Sequence, residues 1–121
     1  MNVLASSDQF RILHEYETVW LEAEGRGRIV IGDFYGDPKM AIIDAGERWC
    51  VIGGCGLIIY FLQEPFDHYA YNEISTQYRE VGRAHPNIWW VNAIEQIGVS
   101  EIMVTLETGE IHTIETILPA Q

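Results

Sequence analysis

A chain of 121 residues with 48% apolar content and mean hydropathy near zero is long enough for one domain, spanning 1–121, around a sizeable core, and too apolar for a disordered segment. Eighteen acids against seven bases give a net charge of −11, a field that repels nucleic acid and anionic membrane and attracts a basic protein surface. No apolar run approaches the ~20 residues of a spanning helix. Met1 to Ser7 lacks the basic start and apolar core of a secretory signal, so the expected compartment is the cytoplasm, with Cys50 and Cys55 as free thiols.

Met1 to Asp8 reads as a poorly ordered lead-in. From Phe10 the apolar positions alternate through Ile12, His14 and Tyr16, the period of a strand, and Thr18 to Glu24 continues to a turn at Gly25-Arg26-Gly27. Arg28 to Leu62 reads as the central antiparallel sheet. Within it, Arg28 to Gly32 is rich in β-branched residues, and Asp33 to Pro38 is a loop whose Pro38 holds Asp37 out of the helical region. Met40 to Ile43 and Arg48 to Ile52 pair around Asp44 to Glu47. Gly53-Gly54 is expected to turn the next hairpin, setting Ile52 opposite Cys55 and Cys50 opposite Leu57. Leu57 to Leu62 is apolar on both parities, the pattern of a strand covered on both faces.

Between Asp67 and Gly82 the period changes. Tyr71, Ile74, Tyr78 and Val81 recur at helical spacing, with Asn72, Glu73, Gln77 and Glu80 on the other side. That spacing predicts one amphipathic helix packed across the sheet. Ile88 to Ile97, Glu101 to Glu107 and Glu110 to Ile117 read as a meander turned at Thr108-Gly109. The expected class is α+β, predominantly antiparallel β-sheet with one helix.

No motif names a reaction. The stretch Gly53-Gly54-Cys55-Gly56 lacks both the following helix and the Gly-Lys-Ser/Thr of a phosphate cradle. Cys55 would serve as a nucleophile only with a histidine beside it in space. Cys50 and Cys55 have no second ligand pair for zinc, and Asp33, Asp37 and Asp44 fit turns better than a calcium loop. His14, His68, His85 and His112 are isolated in sequence. No catalytic residue, metal or cofactor is expected. Trp89-Trp90 would place one ring in the core and leave the other covered, stacked on a ligand or free to anchor a partner.

The acidity, the size, the segment Gly32-Asp33-Phe34-Tyr35-Gly36-Asp37-Pro38, and then Trp49-Cys50-Val51 and Gly53-Gly54-Cys55-Gly56 resemble the small immunity proteins encoded beside bacterial toxins, including those of contact-dependent inhibition. The resemblance implies a non-catalytic protein that binds a cognate, often basic, nuclease toxin and blocks it. It carries over no residue position by position. Charge and turn position select the candidate contacts: Asp33, Tyr35 and Asp37 in the loop, and Glu101, Glu107 and Glu110 on the meander, where no Lys or Arg follows Arg83. The competing expectation is a small-ligand site or enzyme with a pocket between helix and sheet, lined by Tyr35, His68, Tyr71, Trp90 and Cys55. A homodimer or larger oligomer through the meander's exposed edge is the third.

Overall fold

The computed structural model describes residues 1–71 and 73–117. Asn72, expected on the polar side of a helix, lies outside them. Among the described residues the chain is all β, with eleven strands in three antiparallel sheets. The first sheet runs β1 (Asn2–Ser6), β2 (Phe10–Glu15), β3 (Thr18–Ala23) and β4 (Gly27–Asp33). The second is β5 (Met40–Ile43), β6 (Trp49–Gly54), β7 (Gly56–Phe61) and β8 (Tyr78–Val81). The third is the meander β9 (Val91–Gly98), β10 (Glu101–Leu106) and β11 (Ile111–Glu115).

The second sheet lies between the other two. Cys50, Ile52, Ile58 and Tyr60 point to one side, against Ile12, Val19, Leu21 and Ile31 of the first sheet. Trp49, Val51, Leu57 and Ile59 point to the other, against Val91, Ile102 and Val104 of the third. Every residue of β6 and β7 is buried, which is why their sequence is apolar on both parities instead of alternating. The end sheets alternate, as one-sided sheets do.

Four expectations are corrected. The helix over 67–82 is absent, so the class is all-β and not α+β. With both faces of β7 buried, its outer backbone edge would be left without hydrogen bonds, and Tyr78–Val81 supplies them as β8, Tyr60 facing Tyr78 and Leu57 facing Val81. The residues before it form an irregular segment held by side chains. Gln77 donates from Nε2 to the carbonyls of Phe61 (2.5 Å) and Gln63 (3.0 Å), and its Oε1 accepts from the Asp67 amide. Tyr60 donates to the Asp67 carbonyl at 2.7 Å, and the Tyr78 hydroxyl meets both backbone groups of Ala70.

The lead-in is strand β1, paired with β2. Arg28 to Asp33 belongs to the first sheet as β4, so the central sheet begins only at Met40. Finally, Gly53 and Gly54 do not turn the hairpin. Cys50 faces Tyr60 and Gly54 faces Gly56, with Cys55 at the tip. The two glycines are ladder positions approached closely from the side. A Cβ on Gly53 would meet Met40 and Ile94 side chains at 2.8 and 2.9 Å, and one on Gly54 the Pro38 backbone at 3.2 Å.

Candidate functional site

The β6–β7 tip is where segment 82–90 folds back over the sheet. Gly56 has φ +89°, and a Cβ there would overlap the Arg83 side chain. Its amide donates to the Trp89 carbonyl at 2.7 Å, and Cys55 pairs with Trp90 in an isolated bridge. Gly82, with φ +67°, lies under the Trp89 ring, whose Cγ stands 2.5 Å from where a Cβ would be. Trp89 then stacks on His112 at 4.3 Å between ring centroids, and His112 Nε2 meets Glu110 Oε2 at 2.7 Å.

Arg83 ties three elements together. Its Nη2 donates to the Asp33 carbonyl at 2.6 Å, Nη1 to the Cys55 carbonyl at 3.3 Å, and Nε lies 2.8 Å from Glu80 Oε1. The guanidinium sits 4.6 Å from the Phe34 ring centroid and 5.8 Å from that of Tyr71. Tyr69 donates to the same Glu80 oxygen at 2.5 Å, and burial, with that bond second, pushes the Tyr69 hydroxyl pKa up.

Around this clamp opens a cleft of about 700 Å³, lined by Tyr35, Tyr71, Trp90, Cys55, Arg83 and His85. The three aromatic rings are not core residues: Tyr35 is 73% exposed, Tyr71 63% and Trp90 50%. Across Ile88 and Trp90 lies a second hollow of about 400 Å³, bordered by Glu107 and Glu110. Lys39 pairs with Glu107, which joins the Asp33–Pro38 loop to the β10–β11 turn.

Of the six expected contacts, Tyr35, Glu107 and Glu110 line these two hollows. Asp33 and Asp37 are exposed in the Tyr35 loop, Asp33 contributing its carbonyl to Arg83. Glu101 is not brought to the site. It stands at the far end of β10, opposite Glu115 and roughly 17 Å along the strand. Of the alternative pocket set, Tyr35, Tyr71, Trp90 and Cys55 converge on one cleft, while His68 lines a different one beside Phe66. Arg83 was not foreseen. Its one sequence signal is a cation directly after a glycine and before His85-Pro86 in an acidic chain.

Cys50 is fully buried, and burial raises its thiol pKa; Cys55 is half-buried at the cleft. His14 is buried with Nδ1 3.0 Å from the Tyr16 carbonyl. Among the described residues no three His, Cys, Asp or Glu side chains are grouped to hold a metal ion, and no helix is long and apolar enough to cross a membrane. Arg11, Arg26, Arg28, Lys39, Arg48 and Arg83 are in ion pairs, and Arg79 donates to the Glu115 carbonyl. Among the described residues the carboxylates thus outnumber the cations, and Asp33 and Asp37 are exposed at the cleft's edge. The chain matches no family model, no curated protein and no solved structure.

Proposed function

We propose that this chain is a non-catalytic binding protein of the immunity type, which seats a basic protein partner, a nuclease-like bacterial toxin, over the aromatic cleft in the cytoplasm. The observation that carries the reading is three half-exposed to exposed aromatic rings around one cleft, in a protein whose cations are already engaged. Solvent-facing Tyr and Trp rings lower the protein's own solubility, and they are the residue types that dominate the buried centre of protein contacts. Asp37 and the acids bordering the second hollow would meet the partner's cations at the rim, raising the association rate and its salt dependence.

The test uses the tagged chain and its Trp90→Ala and Tyr35→Ala variants as bait at low and high salt. A basic protein held by the parent, released by salt and bound about tenfold or more weakly by each variant supports the reading. Retention indifferent to both variants and to salt removes the cleft from the contact. A second reading, a small-ligand site, is favoured by the convergence of Tyr35, Tyr71, Trp90 and Cys55 on a space of ligand size. It predicts a rise in melting temperature with a compound alone, abolished in Trp90→Ala.

A further inference from the structure

The cleft walls are rich in hydrogen-bond donors and poor in acceptors. Tyr35 and Tyr71 end in hydroxyls and Trp90 carries an indole N–H, and none of these three polar groups bonds to another described residue. Among the described residues that line the cleft there is no Asp, Glu, Asn or Gln. The backbone around it is also committed. The Cys55 carbonyl accepts from Arg83, the Trp89 carbonyl from the Gly56 amide and the Trp90 carbonyl from the Glu107 amide. The Trp89 amide donates to the Gly82 carbonyl.

A peptide can be held by strand addition, as a helix in a groove, or as an extended polyproline II segment on aromatic rings. Strand addition needs a free backbone edge, and Cys55 and Trp90 are already bridged to each other. A docked helix spends its carbonyls on its own amides and would leave the three ring donors unmet. A ligand rich in N–H or O–H groups, an oligosaccharide among them, would find no carboxylate or amide acceptor in the described walls. A cation on the floor is opposed by Arg83, whose guanidinium already lies 4.6 Å from the Phe34 ring centroid and 5.8 Å from that of Tyr71. A proline-rich segment has the matching chemistry. Each proline lacks the N–H, and the polyproline II helix makes no internal hydrogen bonds, so its carbonyls point outward and its flat rings lie against Tyr and Trp.

The rim differs from the floor. Asp33 and Asp37 are exposed on either side of Tyr35, in a chain of net charge −11. We infer that the occupant of the cleft is a proline-rich, extended segment of a basic partner, with its proline rings on Tyr35, Tyr71 and Trp90 and an adjacent Arg or Lys at Asp33 and Asp37. This rests on the cleft being the seat of a basic protein, and specifies which part of that protein enters it. The Trp90 N–H donates to a carbonyl of the segment. Polyproline II has three residues per turn, so every third residue returns to the same face and the rings select the spacing Pro-x-x-Pro.

The test exposes the full chain to an array of short synthetic peptides carrying Pro-x-x-Pro beside an Arg. Matched arrays have Ala in place of both prolines, or Glu in place of the Arg. The strongest binder, fluorescently labelled, is titrated by anisotropy into the parent, Trp90→Phe, Trp90→Ala and Asp33→Lys/Asp37→Lys, each shown to be folded by circular dichroism. Binding is expected to be saturable and to need both prolines. Trp90→Phe keeps a ring and loses the N–H, which should weaken binding about fivefold. Trp90→Ala should weaken it about tenfold or more, and the Asp pair about tenfold at low salt with a smaller difference at high salt. The inference is overturned if the array retains nothing, if the Ala or Glu peptides bind as well, or if Trp90→Ala binds undiminished. A basic protein still captured through Trp90 and Tyr35 would then leave the cleft as the contact, so the two readings fail separately.

Discussion

The β6–β7 hairpin and segment 63–76 lie side by side and both contain tyrosine and isoleucine, yet they end in opposite environments. In the hairpin, Ile58, Ile59 and Tyr60 are fully buried and their backbone is paired on both sides. In the segment, Tyr71 is 63% exposed and Ile74 fully so, while the chain path is set by Gln77, Tyr60 and Tyr78 reaching into its backbone. Apolar residues were drawn inside where a strand could also satisfy its amides and carbonyls. Where it could not, polar side chains took over the backbone and Tyr71 was left at the surface, where it lines one side of the cleft.

The sharpest test of this contrast is a matched pair. Ile58→Ala is expected to lower unfolding free energy by about 4 kcal/mol, because it opens a cavity in a core with no exposed flank. Ile74→Ala should change it by less than about 0.5 kcal/mol. Urea titrations of the two variants check both values, and equal losses would break the comparison. Gly82→Ala comes next at about 3 kcal/mol, since the left-handed backbone and the Trp89 ring leave no room for a methyl group. Its signature besides the midpoint is an altered Trp emission.

Asp44, in the turn that leads into the hairpin, should contribute about 2 kcal/mol. Burial opposes its ionisation, but the Arg48 side chain and amide, with Gln96, outweigh burial and hold the carboxyl at a pKa of about 2. The folded value lies below the ordinary 3.8, so the stabilisation is complete above about pH 4 and is lost as pH falls toward 2. In Asp44→Asn that part of the acid dependence should disappear, as thermal melts between about pH 2 and 6 would read. The smallest effect is expected from Lys39→Ala, under about 1 kcal/mol and vanishing in high salt, because the Lys39–Glu107 pair is half-exposed.

The strands from Phe10 to Asp33, the Met40–Ile43 pairing and the terminal meander were legible because alternation and turn residues are local signals. A split between the two tryptophans was legible too, but not which ring goes where: Trp89 is the partly buried one, stacked on His112, and Trp90 borders the cleft. The helical spacing misleads because Tyr71, Ile74, Tyr78 and Val81 recur at that interval while two of them lie in a strand and two at the surface. A periodicity over so few residues does not register the unpaired edge of β7, a demand made by a strand elsewhere in the chain. The same limit hid the role of Gly53 and Gly54, whose missing side chains matter to Met40, Val91 and Ile94 and to Phe34 and Pro38.

Composition and pattern by themselves determined an acidic chain dominated by antiparallel strands, with one strand at Leu57 to Leu62 covered on both faces and no Lys or Arg after Arg83. Those properties follow from side-chain charge and from alternation along single strands. The tertiary structure decided which strand completes the middle sheet, that Tyr35, Tyr71 and Trp90 share one cleft, that Arg83 holds its walls, and that Glu101 stands away from it. These depend on backbone edges and distances between segments far apart in sequence, and no residue carries that information alone.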